Sequence, residues 1–169
     1  MSLLKEIQDG ALDTNVPITT VLRKLAVLAA QLKNDELRDW AFSELNGYTG
    51  QDVKLPTYRE LGASPHGNLS QPGWQQNNAP IPSLILPEGL RERADMLDFR
   101  QPIAEIESLA VGDGDGVVFN WPGDWVLWAQ KEGKFARGVV LHAIWQKVSK
   151  AAVVGIVDTV RTRILEFCI

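Results

Sequence analysis

The stretch Ser149–Ile169, SKAAVVGIVDTVRTRILEFCI, decides how the rest of the chain is read. Val153, Val157, Val160, Ile164 and Phe167 recur at alternating spacings of four and three, which places one narrow apolar stripe along a helix. Ser149 can accept a hydrogen bond from a free backbone N–H of the first turn, and Asp158, Thr162 and Glu166 fall on the face away from the stripe. After Phe167 no glycine, proline or basic last turn stops the pattern, which runs on to Ile169. The helix therefore predicts a partner surface, and the chain reads as the N-terminal module of a longer protein.

Working back from that helix, the first ~48 residues read as three antiparallel helices joined by short turns. Ser2 caps the first, which runs to about Leu12. Pro17, with its fixed φ, opens the second, whose apolar side is Ile18, Leu22, Leu25, Leu28, Ala29 and Leu32. Asn34 caps the third, Asp35 and Glu36 suit the positive end of its dipole, and Gly47 closes it.

From residue 51 to Pro87 the prolines and the Gly, Asn and Ser clusters break helices. Extended pieces are expected at Thr57–Ala63, Gly67–Ser70 and Ser83–Leu86, with a loop from Gln71 to Pro80 in which Trp74 either plugs a gap in the core, the favoured reading, or is offered to a partner. Pro87 and Pro102 each start a helix, GDGDG at Gly112–Gly116 is a turn, and Val117–Asn120 is a short strand. Pro122–Gln130 reads as helix, with Trp121, Trp125 and Trp128 on neighbouring turns of one side. Gly138–Val148 alternates as a strand should, with Val139, Leu141, Ala143 and Trp145 on one face; a helix competes, because no turn residue interrupts the run. The fold class is α+β: an N-terminal three-helix segment, a small, mostly antiparallel sheet in the middle, and a long C-terminal helix.

A chain of 169 residues with 45% apolar content is long enough for one domain with a sizeable core. Its 17 basic and 21 acidic residues give a net charge of −4, which argues against nucleic acid, since neutralising phosphates takes a basic surplus. The single cysteine, Cys168, can form no internal disulfide, no signal peptide precedes the first helix, and no apolar run approaches the ~20 residues of a membrane span. A cytoplasmic protein is expected.

Four segments together resemble the AbiTii family of bacterial abortive-infection (phage-defence) proteins. They are SLLKEIQDGALD from Ser2, VLRKLAVLAAQLKNDELRDWAFSELNGY from Val21, LPTYRELGASPHGNLSQPG from Leu55, and VDTVRTRILEF from Val157. The most particular parts are LNGY, PTYR and VRTR. The resemblance spans nearly the whole chain and implies a single AbiTii-like domain, 1–169, acting in defence against phage. It carries over no catalytic residue. In similar proteins the last helix continues into a linker or further domain, and the stop at Ile169 departs from that pattern.

Candidate sites are few. His66 and His142 have no ligand partners at metal spacing, so no metal and no cofactor is expected. His66 reads as a solvated turn residue and His142 as a satisfied, partly buried one. Asp113 and Asp115 lack the later ligands of a calcium loop, and Glu105 and Glu107 point in different directions on a helix. Cys168 reads as a small apolar side chain beside the stripe. Arg161 and Arg163 emerge from opposite edges of the stripe, where they pair locally with Asp158 and Glu166 or frame an interface. Trp121, Trp125 and Trp128 read first as core packing, with a partner-facing aromatic patch as the alternative. The interface expectation comprises Arg161, Arg163, Ile164, Phe167 and, on that alternative, Trp121, Trp125 and Trp128, with the end of the stripe facing another chain. Function is expected to be a non-catalytic assembly module that meets a second copy or a partner defence protein and positions a downstream effector. The alternative is a small nuclease-like toxin built from His66, Asp113 and Asp115.

Overall fold

The computed structural model describes residues 2–50 and 52–169 and divides the chain into two compact units, each assembled from separate segments. Unit 1 takes the chain up to Arg59, then Phe99–Gly114 and Lys150–Ile169; unit 2 takes Glu60–Asp98 and Asp115–Ser149. The fold is α+β, as the sequence predicts, with the helices of both ends gathered in unit 1 and the main sheet in unit 2.

Unit 1 is helical: α1 (Leu3–Leu12), α2 (Ile18–Gln31), α3 (Asp35–Asn46), α5 (Ile103–Val111) and α7 (Lys150–Phe167). Ser2 and Asn34 cap α1 and α3 as expected, accepting from the backbone N–H of Lys5 and Leu37. Pro17 has no side chain with which to cap α2. Glu107 does so from α5, its Oε1 accepting from the Ile18 N–H at 3.2 Å.

On α7, which packs against α1 and α5, the buried residues are Val153, Ile156, Val160, Arg161 and Ile164. The apolar side thus runs through Ile156, and Val157 is only half-buried. Spacings of three, four and four follow the 3.6-residue period of a straight helix in a globular core; the expected stripe had the 3.5-residue period of a supercoiled seam.

Unit 2 holds a four-stranded antiparallel sheet in the order β3–β2–β6–β5, formed by β2 (Ser64–Gln71), β3 (Trp74–Pro80), β5 (Gly116–Asn120) and β6 (Val140–Ser149). It also contains α4 (Glu88–Ala94), α6 (Gly123–Glu132) and a two-stranded ribbon of β1 (Glu60–Gly62) with β4 (Met96–Asp98). One face of the main sheet is covered by Ile81, Leu86, Leu90, Ala94, Trp121 and Ala129 packed on Leu141 and Ile144. Gln146, buried on that face, is fully used: its amide N–H groups reach the carbonyls of Arg93, Ala94 and Met96, and its Oε1 accepts from Trp121 Nε1.

Three expectations change here. Residues 74–80 form a strand instead of a loop. Pro72 and Gly73, at φ 78°, make the hairpin turn, and the polar run WQQNN serves because this is an edge strand with both faces largely wet. Trp74 therefore stands at the hairpin tip, 41% exposed, and plugs nothing. Second, Ser83–Ile85 is a single 3₁₀ turn, since Ile85 and Leu86 donate back to the Pro82 and Ser83 carbonyls. Third, β6 is a strand, but its inward residues are Leu141, Ile144, Gln146 and Val148. Asn68 pairs with Ala143 and Leu69 with Leu141, so His142 is an extra residue and the parity flips there. His142 is exposed, not partly buried, with Nε2 at 2.6 Å from Ser70 Oγ.

Candidate functional site

The three peptides that carry the family resemblance most particularly meet at one place in unit 1. LNGY ends α3: Gly47 takes φ 88°, with the Arg100 carbonyl where a Cβ would stand, and the turn delivers Tyr48, whose N–H donates to that carbonyl at 2.8 Å. PTYR forms a single 3₁₀ turn, Thr57–Arg59, presenting Tyr58 and Arg59. VRTR supplies Arg163 from α7. Their common centre is Glu44, a residue the sequence reading passed over.

Glu44 and Arg59 form an ion pair at 2.6 Å, both side chains at 0% exposure. The Glu44 carboxylate accepts from the Tyr48 hydroxyl at 2.6 Å, from the Tyr58 hydroxyl, and from Arg59 Nη2. Arg59 Nη1 donates to the Phe99 and Gln101 carbonyls at 2.8 and 2.7 Å, and its guanidinium lies 4.9 Å over the Tyr48 ring. Two charges in a low-dielectric interior are tolerated only when their remaining hydrogen-bonding capacity is met, as it is here. Burial, and then the Glu44 hydrogen bond and charge, drive the Tyr48 hydroxyl far above the usual phenol range; burial and the Glu44 charge raise Tyr58 as well. Both stay protonated, so the cluster is a fixed scaffold of donors around one carboxylate.

The outer layer of the cluster reaches solvent. Tyr58 accepts from Trp40 Nε1 at 3.0 Å, which locks the two rings together. Arg163 stacks over both, 5.4 Å from each ring centroid, and Phe167, 49% exposed, packs on Trp40 at 5.6 Å. Among the described residues Arg163 makes no ion pair, with the expected partner Glu166 or any other. The result is a ledge of one held cation and three aromatic rings.

The other interface candidates stand elsewhere. Arg161 leaves α7 on the opposite edge, buried, and donates to the carbonyls of Gly10, Asp13 and Val16 between α1 and α2, with Glu107 at 3.8 Å. It binds the fold together instead of pairing with Asp158. Ile164 is at 0% exposure inside unit 1, so its expected contact with another chain is closed to it. Trp121 is buried in unit 2, edge-on to Trp125, which is half-buried under Arg93. Trp128 is more exposed and donates to Glu132 at 2.9 Å. Burial thus narrows the interface expectation to Arg163, Phe167, Trp125 and Trp128. Trp40 and Tyr58 join it. The i, i+4 spacing of Glu44 and Tyr48 was the one signal in the sequence for the cluster beneath.

His66 and Asp115 line one cleft in unit 2, while Asp113 belongs to unit 1. Among the described residues no three His, Cys, Asp or Glu side chains gather as metal ligands, and no helix is long and apolar enough to cross a membrane. Compared with known proteins, residues 2–169 match the family model AbiTii. No curated protein and no solved structure matches the chain.

Proposed function

This chain belongs to the AbiTii family, whose members are abortive-infection defence proteins, and from that premise we propose that it is a non-catalytic assembly module. It pairs with a second copy of itself through the Arg163 ledge and so positions an effector. The observation that carries the reading is Arg163: a guanidinium held over two rings, without a counter-ion among the described residues, beside a half-exposed Phe167. Arg, Trp and Tyr are the side chains in which binding energy concentrates. Here they are already ordered, so pairing loses little rotamer freedom.

Charge favours a second copy as the occupant. Glu166 is exposed three residues after Arg163 on α7, and Glu36 one turn before Trp40 on α3. An antiparallel meeting of two α7 helices about a twofold axis between positions 163 and 166 sets each Arg163 against the copy's Glu166. Light scattering at high concentration is then expected to give twice the 18.7 kDa chain mass. Arg163→Glu or Phe167→Ser should each return it to one chain with the helical circular dichroism unchanged. A wild-type monomer would overturn the proposal. So would loss of pairing in Phe42→Ser, on the groove between α2 and α3, with pairing retained in Arg163→Glu.

A second reading, a small nuclease-like toxin, is favoured by the cleft that brings His66 and Asp115 together. It requires that expressing the folded chain harm the host and that His66→Ala relieve the harm. The assembly reading expects harmless expression.

A further inference from the structure

The face of the four-stranded sheet opposite its core holds a cleft of about 490 Å³ that the assembly reading does not use. Register builds it. Ser64 pairs with Lys147, which pairs in turn with Val118, and His66 pairs with Trp145. Directly paired residues point to the same side of a sheet, so Ser64, His66, Lys147 and Val118 share the face opposite the buried Ile144, Gln146 and Val148. Gly116 starts β5 so close to the Val148 carbonyl that a Cβ would not fit, and Asp115 precedes it at the rim. Among the described residues Lys147 has no carboxylate partner.

We infer that this cleft binds a phosphate monoester of a hydroxyl-bearing group, such as a sugar phosphate or nucleotide. Lys147 meets the phosphate charge and the Ser64 hydroxyl donates to a phosphate oxygen. His66 Nδ1 lies 3.1 Å from the Ser64 carbonyl, which can only accept, so Nδ1 is spent as a donor there and Nε2 is the ring nitrogen left for the ligand. Asp115 accepts hydrogen bonds from the hydroxyls of the esterified group, which inorganic phosphate lacks, and so selects the ester. The volume falls within the ~300–1,000 Å³ typical of small-molecule sites. Binding here needs no catalysis and is independent of the Arg163 ledge.

The chain has only two histidines, so imidazole ¹H–¹⁵N NMR reads the cleft with an internal control. Titration with ribose 5-phosphate should shift His66 saturably and leave His142 in place. Inorganic phosphate should bind about tenfold more weakly. Lys147→Gln should weaken the ester about tenfold with an unchanged melting temperature, and Asp115→Ala, which leaves no acceptor, should erase the preference for ester over inorganic phosphate. Adenosine 5′-monophosphate binding more tightly than ribose 5-phosphate identifies a nucleotide; equal binding identifies the sugar phosphate alone. The inference is overturned if His66 and His142 shift alike without saturation, or if Lys147→Gln binds as the wild type does.

Discussion

Replacing Glu44 by Gln keeps the shape of the buried cluster and removes its negative charge. Arg59 then retains the Phe99 and Gln101 carbonyls and the Tyr48 ring but has no counter-ion at 0% exposure. Breaking one side of a buried pair costs about 3–5 kcal/mol. The Tyr48 and Tyr58 hydroxyls keep an acceptor but lose a charged one, each bond falling to roughly half its strength. Glu44→Gln should therefore destabilise by about 4 kcal/mol, a large part of the ~5–15 kcal/mol that holds a typical domain folded. Arg59→Met should cost a similar amount, because two carbonyls lose their donor at about 1–3 kcal/mol each. The double variant leaves no unpaired charge, so it should cost less than the sum of the two by about 2–4 kcal/mol. Urea unfolding followed by circular dichroism measures all four corners of this cycle. Costs that add to within about 0.5 kcal/mol, or a Glu44→Gln cost below about 1 kcal/mol, the net worth of one ordinary hydrogen bond, would refute the coupling.

The chain's only two tyrosines are Tyr48 and Tyr58, both raised, so its tyrosinate absorbance should not develop in the ordinary phenol range while the fold holds. Unfolded tyrosines ionise near pH ~10 and folded ones do not, so this contribution to stability is complete below that pH and declines above it, by about 1.4 kcal/mol per tyrosine per pH unit. Tyrosinate absorbance and loss of helix should rise together; a smooth titration with the helical signal intact would contradict the burial. Gly47→Ala should cost about 1–2 kcal/mol or more in urea unfolding, since φ 88° and the Arg100 carbonyl both oppose a Cβ; a neutral result would mean the turn relaxes. Arg161→Met should cost at least about 2 kcal/mol by the same measurement, because Gly10, Asp13 and Val16 lose their donor. Arg163→Met, on the ledge, should cost less, about 1 kcal/mol, since it loses a stacked cation but leaves no buried group unpaired.

What could be read in the sequence was whatever local chemistry decides. Ser2, Asn34 and Gly47 mark helix ends by their own hydrogen bonds and dihedrals, and the opposite departures of Arg161 and Arg163 follow from 100° per residue. What could not be read depends on long-range partners. The rotation of α7 that buries Ile156 is set by α1 and α5, and the bulge at His142 is set by pairing with β2. An edge strand as polar as Trp74–Pro80 shows no alternation because neither face needs to be dry. Glu44 sits in the last turn of α3, where nothing local marks it out, and only folding shows that Tyr58 and Arg59 come to it from outside the helix. Arg163's place at the edge of the stripe follows from its spacing, but its rings, Trp40 and Tyr58, belong to two other segments.

The central claim is that Arg163 meets a copy of its own ledge, and a charge swap tests it most directly. Arg163→Glu alone sets two glutamates against two, and Glu166→Arg alone sets two arginines against two, so each variant should scatter light as a single chain. Mixed in equal amounts, they place opposite charges at all four positions, and the mixture should recover the mass of a pair. A mixture that stays at the mass of one chain, or either variant pairing by itself as the wild type does, would contradict the account.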